Sequence, residues 1–443
     1  MPKHLISTSF TFKVLYVAFV IAVVFYGQLR LMFGLTPRHI AIVVMLFACM
    51  RQGVPFPMGR IMKTYLVFIL TFLVSATVTD YLDKVLITYY IAVYVGFWAT
   101  KILVTKYKDG KLLLNIFIVT GVVNAIVTIG QAFGLHFADQ LVSFLHISLP
   151  EEYIDSLNVK GGENMYLLLV RPGLLAGAVY NGYILMATGL ISLSLLAHKF
   201  RLQRLIPWVI IFVGCFCVQE RGPIIILAVL SAFAFFKTLF IKRNTYILLM
   251  IVFVLLVHII TVSVSSVLPV RSINTREGHS SLVIYNDYDE SESDNWSKIS
   301  RITKESRFGE RGMEDPVREE NYIKTLDYLL DHPFVAGVQR LRAEQGIYPH
   351  NLFLIAFAYG GIVGGTLILL ILFWQIKPLW RVLRRKIADT NPVCFYAGLA
   401  YLGYTLNSLV HNRSIVTGDE VIWMLWATFY FEYIKFYPQD KRL

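Results

Sequence analysis

Long apolar runs, separated by short loops of alternating charge, constrain this chain more than any other feature. Of its 443 residues 56% are hydrophobic and only 16% are charged, and the mean hydropathy is +0.60. Soluble domains carry about 25% charged residues. A helix needs about 20 apolar residues to cross the hydrocarbon core of a bilayer, and most of the runs approach that length. The pattern predicts an all-α polytopic membrane protein.

The runs predict about twelve transmembrane helices, of which the second and seventh are short. They begin near Phe12, Arg38, Ile61, Val85, Leu112, Gly173, Leu205, Pro223, Tyr246, Asn351, Pro392 and Val421. We interpret the first run as a retained span, because the basic residues before it are not followed by a small-residue cleavage pattern. Residues 1–443 are thus expected to form a single integral membrane domain.

Lysine and arginine concentrate in every second loop, and this alternation orients the chain. The basic loops contain Arg51, Arg60, Lys63, Lys101, Lys106, Lys108, Lys111, Lys199, Arg201, Arg204, Lys237, Lys242, Arg243, Lys377, Arg381, Arg384, Arg385 and Lys386. The opposite short loops hold little base; they carry Arg38, then Asp80, Asp83 and Lys84, then Arg413, Asp419 and Glu420. Because basic loops stay in the cytoplasm, both termini are predicted to be cytoplasmic.

Two loops on the outer side are long, at residues 135–170 and 269–350. The acidic, serine-rich stretch 287–294 in the larger loop has the composition of a disordered segment. Asp315-Pro316 farther on is a good helix start. Apolar residues then recur at helical spacing until His332-Pro333 stops the pattern, at Ile323, Leu326 and Leu330. We expect an outer amphipathic helix over the site described next.

Two arginines and a histidine stand at the starts of apolar runs, each with a proline close by. The segments are Val170-Arg171-Pro172-Gly173, Glu220-Arg221-Gly222-Pro223 and Tyr348-Pro349-His350-Asn351. A cation at a helix N-terminus opposes the helix dipole, at a cost of about 0.3–1 kcal/mol. An anion there would meet free N–H groups and a guanidinium together. The alternative is that the arginines simply extend to the membrane interface. Because all three segments lie on the same predicted side of the bilayer, an anion site is favoured.

His350 is the candidate general base. A helix N-terminus and nearby arginines disfavour the imidazolium ion, so we expect a neutral ring that accepts a proton. The alternative is a polar histidine that caps the helix. His258 and His411 lack this setting and are interpreted as structural.

Other polar and small residues are weaker candidates. Asn181-Gly182 could hydrogen-bond a ligand or let helices pack closely. Arg318 and Arg340 could contact substrate, although a solvated helix face is an equally simple account. Glycine pairs on the tenth run are expected to serve close packing, at Gly360-Gly361 and Gly364-Gly365. The cysteines lie in apolar runs and are interpreted as core residues, at Cys49, Cys215, Cys217 and Cys394. No metal-ligand spacing occurs.

Together these segments resemble the O-antigen ligase/polymerase superfamily of bacterial envelope glycosyltransferases. His350-Asn351, nine residues, then Gly361-Ile-Val-Gly364 is similar to the family pattern H[NSQ]x9GxxG after a large periplasmic loop. Gln219-Glu220-Arg221-Gly222 resembles the family's Ser-Arg-Gly. Arg171 with Asn181-Gly182 resembles its R…GxxxN element and also fits the Rx10G spacing of repeat-unit polymerases. Arg318 through Tyr322, then His332-Pro333 and Gly337, resembles the stretch before the histidine, with Tyr322 in place of the usual Trp.

The resemblance implies a GT-C-like enzyme of the bacterial inner membrane that needs no cofactor or metal. The implied donor is a glycan on undecaprenyl diphosphate, and the acceptor is another glycan or the lipid A core. Arg171 and Arg221 would hold the diphosphate at the periplasmic face, and His350 would activate the acceptor hydroxyl. The implied substrate-binding residues are Asn351, Asn181, Gly182, Arg318 and Arg340. A chain-length regulator is an expected partner of a polymerase, which the Rx10G spacing slightly favours over a ligase.

A polytopic transporter or a flippase for lipid-linked oligosaccharides is the competing hypothesis. Twelve spans are common in transporters, but their polar groups lie near the bilayer midplane and their halves are often related. Here the charged residues gather at one surface and no internal repeat occurs. A non-catalytic scaffold would not require arginines that oppose helix dipoles. The net charge of +12 is accounted for by the cytoplasmic loops, and no nucleic-acid partner is expected.

Overall fold

The computed structural model describes residues 3–25, 36–78, 84–132, 135, 137–138, 140–141, 173–175, 178–197, 202–218, 220–238, 316–334, 337–346, 349–385, 391–411 and 413–440. Helices make up 84% of this part and it contains no strand, which confirms the all-α class.

The helices follow the apolar runs in chain order. They are α1 (Lys3–Val24), α2 (Pro37–Met50), α3 (Arg60–Val78), α4 (Lys84–Thr105), α5 (Lys111–Ala132), α6 (Ala178–Ser192), α7 (Ile206–Val218), α8 (Arg221–Thr238), α9 (Pro316–Asp331), α10 (Val338–Gln345), α11 (Leu352–Arg384), α12 (Pro392–Ser408) and α13 (Glu420–Phe436). Every predicted span coincides with a helix except the one beginning near Tyr246, which lies outside the described residues, as does the acidic stretch 287–294. The sixth span starts later than predicted, because Gly173 lies in a turn and α6 begins at Ala178.

Five segments of the described chain are long and apolar enough to cross a membrane. They are Arg60–Val78, Leu86–Thr105, Lys111–Ala132, Val179–Leu196 and Leu352–Arg384. Shorter apolar helices accompany them at Ser9–Val24, Pro37–Met50, Gln203–Val218 and Gly222–Lys237. The chain is therefore a helical protein with several candidate membrane spans. The count of twelve, the orientation and the GT-C-like arrangement stay predictions.

The helix α13 lies at the centre of the bundle, and every residue from Glu420 to Tyr433 is buried. It packs against α4 and α12, while α6 packs against α5, α7, α8 and α12. Outer helices instead expose apolar side chains, such as Val74 (64% exposed) on α3 and Phe373 (70%) on α11. Exposed apolar faces of this kind suit contact with lipid. The cysteines are buried and free, as predicted for core residues.

Helix α11 is broken at Gly360–Gly361, where both residues leave helical geometry. Gly361 has φ +60°, and a Cβ there would lie 2.7 Å from the carbonyl oxygens of Pro333 and Phe334. Ile362 donates its N–H to the Pro333 oxygen at 2.8 Å, so the chain after α9 replaces the missing helical acceptor. Close packing, the expected role of this glycine pair, is thus only part of its role. A backbone contact requires glycine at 361.

Helix α9 begins at Pro316 and ends at Asp331, as its sequence signals predict. It packs against α11 through a face that includes Thr325 and Tyr328, both buried. The predicted apolar stripe faces away from the protein, since Ile323, Leu326 and Leu330 are each at least half exposed.

Candidate functional site

The end of α12 is where α8 and α11 begin and where the first part of α6 packs; of the segment around Arg171, only Gly173 belongs to the described residues. Asn351, before α11, donates its Nδ2–H to the carbonyl oxygen of Leu409 at 2.9 Å. Gly222, at the start of α8, lies so close to α12 that a Cβ there would stand 2.5 Å from Asn407 Oδ1. Tyr183 of α6 donates its hydroxyl to the carbonyl oxygen of Arg413, beyond α12, at 3.1 Å. The structure therefore brings the first turns of α6, α8 and α11 to one end of one helix.

Asn351 is the N-cap of α11. Its Oδ1 accepts from the N–H groups of Phe353 (2.9 Å) and Leu354 (3.4 Å). Such caps stabilise helices by about 1 kcal/mol. The capping role that sequence analysis left open for His350 therefore belongs to Asn351, and the predicted contact of Asn351 with substrate stays a prediction. His350 is half-buried and directly precedes the cap.

Helix α8 begins at Arg221, with Pro223 in its first turn, as predicted. The Arg221 side chain lies outside the described residues. Gly182 of α6 faces this turn, and a Cβ there would lie 2.8 Å from Pro223 Cγ. Of the two roles considered for Gly182, close helix packing is the one that the structure shows. A larger residue would separate α6 from α8.

Arg171 lies outside the described residues, but the turn two residues later is well anchored. Gly173 has φ +59°. It donates its N–H to Gln131 Oε1 of α5 at 2.9 Å, and the next N–H, of Leu174, binds Asn124 Oδ1 at 2.8 Å. Side chains of α5 therefore hold the backbone that leads from Arg171 into α6.

Asn181 belongs to this same polar network. Its Oδ1 accepts from Asn124 Nδ2 at 2.6 Å, and its Nδ2 donates to Thr128 Oγ1 at 2.9 Å. The side chain is fully buried. Because both ends of the amide are engaged with α5, Asn181 joins α5 to α6; the predicted contact with substrate stays a prediction.

Arg340 and Arg318 lie in the outer helices. Arg340 Nε is 2.6 Å from Glu344 Oε1, one turn along α10, and both side chains are about one-third exposed. This pair supports the solvated-face account of Arg340. Arg318 lies in the first turn of α9, and its side chain is outside the described residues.

A buried charged cluster beside the site was missed by sequence analysis. The Arg413 guanidinium stacks over Tyr180 at 3.5 Å from the ring centroid and lies 3.4 Å from Asp419 Oδ2. Asp419 Oδ2 also accepts the Tyr404 hydroxyl at 2.6 Å. Burial alone would lower the pKa of Arg413, but Tyr180 and Asp419 together raise it above its usual range.

The neighbouring carboxylate completes this cluster. Glu420 Oε1 is 2.9 Å from Arg38 Nη2, and both side chains are buried. Arg38 also stacks over Tyr89 and donates to the Val23 carbonyl oxygen. The sequence did contain a signal for Arg38: it follows Pro37 in the first turn of α2, where a cation opposes the helix dipole as Arg221 does in α8. Its partner could not be read from spacing, since Glu420 is remote in sequence.

The arrangement places an imidazole and the first turns of α6, α8 and α11 at one end of the bundle, with the α5–α6 side held by hydrogen bonds. No group of His, Cys, Asp and Glu in the described part of the chain is placed to hold a metal ion. No protein-family model matches this chain, and no curated protein matches it significantly.

Proposed function

We propose that the protein is a membrane glycosyltransferase that moves an undecaprenyl-diphosphate-linked glycan to an acceptor sugar at the periplasmic face of the bacterial inner membrane. The single observation that carries the proposal is the convergence of the α6, α8 and α11 starts on the end of α12. Residues far apart in sequence could thereby border one substrate.

The diphosphate leaving group is the part of the donor that the helix starts would recognise. As the glycosidic bond breaks, negative charge grows on the diphosphate oxygens. Free N–H groups at a helix N-terminus, together with the guanidinium groups of Arg171 and Arg221, would stabilise that charge without a divalent cation. The nearby Arg38 and Arg413 are paired with carboxylates, so they contribute little net charge of their own.

His350 would act on the acceptor. A neutral imidazole accepts the proton of the attacking sugar hydroxyl as the new glycosidic bond forms. Asn351 supports this role indirectly: its cap hydrogen bonds and its bond to Leu409 fix the backbone next to His350.

Substitution of the three residues tests the proposal in a strain that lacks the chromosomal copy. Arg171→Ala, Arg221→Ala and His350→Ala should each reduce polymer or ligated product by about 100-fold or more, the usual loss for a transition-state donor or general base. Arg221→Lys should also fail if a bidentate fork is required. Arg51→Ala, an exposed arginine in a loop predicted to be cytoplasmic, is the matched control and should retain full product. Normal product from all three alanine variants, with equal amounts in the membrane, would refute the assignment.

The acceptor separates the two forms of this function. Surface glycans of the deletion strain, resolved on gels, should show lipid A core capped with one repeat unit if the protein is a polymerase. Long chains that remain on undecaprenyl diphosphate, beside bare lipid A core, would indicate a ligase. The spacing of Arg171 and Gly182 leads us to expect the polymerase result.

Transport stays the second candidate, because α11 is a broken helix of the kind that lines transporter sites. In such proteins the break exposes backbone groups to an ion or substrate. Here Ile362 donates to Pro333, so that group is engaged within the protein. Uptake or flipping of a lipid-linked oligosaccharide by the purified protein in vesicles, without glycan transfer, would favour transport.

A further inference from the structure

One face of α9 and the turn after it carry large apolar side chains that no part of the described chain covers. Ile323 is 54% exposed, Leu326 50%, Leu330 78% and Phe334 71%. The opposite face, with Thr325 and Tyr328, is buried. Four such side chains in one row are more than the scattered exposure that soluble surfaces show. We call this row the α9 apolar face.

The hydrogen bond between Ile362 and Pro333 at the α11 kink allows the depth of the α9 apolar face in the membrane to be estimated. Arg60 stacks over Trp374 of α11 at 4.7 Å from the ring centroid, a pairing suited to the interface on the basic side. Ile362 lies about 18 Å farther along α11, at 1.5 Å per residue, and the N-cap Asn351 lies beyond the kink. The hydrocarbon core is about 30 Å thick. Pro333, bonded to Ile362, is thus within reach of the outer half of that core.

The surface around Phe334 is continuous with the exposed face of α11. The Phe334 and Pro333 carbonyl oxygens border Gly361, and the next two residues, Ile362 and Val363, are each 48% exposed. Helix α11 is itself a candidate membrane span. The apolar surface that α11 presents to lipid therefore extends onto Phe334, at the end of α9.

We propose that α9 is an interfacial helix whose apolar face, Ile323 to Phe334, inserts into the outer-leaflet hydrocarbon and takes lipid acyl chains as its partner. Amphipathic helices bind membranes in this way through buried apolar area, with charged residues kept at the headgroup level. Asp327 and Asp331 are exposed beside these apolar residues, so the inserted helix would have to tilt until both carboxylates reach the headgroups. The inference does not require the glycosyltransferase proposal.

This insertion has a structural consequence for the candidate site. Pro333 supplies the acceptor for the first N–H after the kink in α11. The short helical part of α11 before the kink begins at the Asn351 cap, next to His350. Lipid contact at α9 therefore holds in place the turn from which this segment extends.

Site-directed fluorescence in membranes tests the inference with the full chain. The native cysteines found in the structure are buried, so labelling favours a new, exposed cysteine. Leu326→Cys, Leu330→Cys and Phe334→Cys carry an NBD label, and Asp331→Cys is the matched control on the same exposed turn. The variants are reconstituted in vesicles of phosphatidylethanolamine and phosphatidylglycerol. The three apolar positions should show blue-shifted emission and several-fold stronger quenching by doxyl-labelled lipid than position 331.

Three results would overturn the proposal. Aqueous emission at all positions, with iodide quenching equal to that at position 331, would place the face in water. Lipid quenching that disappears when undecaprenyl phosphate is added would show that the face holds a polyprenyl chain rather than bulk lipid. Protection that grows with protein density in the vesicles, without lipid quenching, would show that a second copy covers it.

Discussion

The buried asparagine side chains on the two sides of the α12 end differ in how their amide groups are hydrogen-bonded. On the α5–α6 side, Asn181 is bonded at both amide atoms, and Asn124 links it to the turn at Gly173. On the α8–α12 side, Asn407 is equally buried, yet neither its Oδ1 nor its Nδ2 has a hydrogen-bond partner in the described part of the chain. On the α5–α6 side the buried amides are all hydrogen-bonded, and we call this side the closed frame. On the α8–α12 side a buried amide without hydrogen bonds lies next to the start of α8.

The difference matters because a buried amide without hydrogen-bond partners lowers the free energy of unfolding. Leaving such a group without a partner costs about 1–3 kcal/mol. Groups of this kind in native proteins call for an explanation, and a functional site is one. Since Asn407 presses against Gly222, beside Arg221, we expect the α8–α12 side to rearrange when a ligand binds. The α5–α6 side should stay fixed.

Loss of a buried charge partner should have the largest effect on stability. Glu420→Ala leaves the buried Arg38 guanidinium without its carboxylate, and we expect a loss of about 3–5 kcal/mol in the free energy of unfolding. Unfolding in mixed micelles measures this. The double variant Arg38→Met, Glu420→Leu removes both charges and should recover most of the loss. Equal instability of the double variant would show that packing, not pairing, holds this cluster.

Substitution of Gly173 tests how rigid the α5–α6 frame is. Gly173→Ala would place a methyl group against Asn124 Oδ1 in a backbone conformation with positive φ, and we expect a loss of about 3 kcal/mol. The control is Gly346→Ala, which has the same sign of φ but open space around it. That variant should lose only about 1 kcal/mol. Similar losses of stability in the two variants would mean that the side chains around Gly173 move aside for the added methyl group.

Removal of the Asn181 amide should be less severe. Asn181→Ala deprives the Asn124 Nδ2–H of its acceptor, while the Thr128 hydroxyl keeps its bond to the Asn124 carbonyl oxygen, and we expect a cost of about 1–3 kcal/mol. The same unfolding assay gives the value. An unchanged stability would show that the hydrogen bonds of Asn181 do not distinguish the α5–α6 side from the α8–α12 side.

Replacement of Asn407 should have the smallest effect on stability. Asn407→Leu keeps a similar volume and removes an unmet amide, so the free energy of unfolding should change by less than about 0.5 kcal/mol or increase. If the amide serves the site, glycan product should nevertheless fall. Comparison with Asn181→Ala sharpens the contrast: one variant loses stability, the other activity. A large loss of stability in Asn407→Leu would contradict it.

Local patterns were enough for the elements of this protein. The apolar runs predicted the all-α class and the positions of the helices. Proline near the start of an apolar or amphipathic run predicted where α8 and α9 begin, because a proline in the first turn removes no helical hydrogen bond. The charge distribution also predicted that His350 and Arg221 belong to segments at one end of the bundle. These inferences depend only on neighbours within a turn or two.

Tertiary structure alone decided which groups meet. The pairing of Arg38 with Glu420, the bond from Asn351 to Leu409 and the insertion of Pro333 at the α11 kink each join residues remote in sequence. It also decided that Asn181 is a structural amide and that the α9 apolar face turns outward. Hydrophobic burial specifies that a helix has an apolar side but is non-directional, so the identity of the opposing surface is set by the packing of the whole bundle.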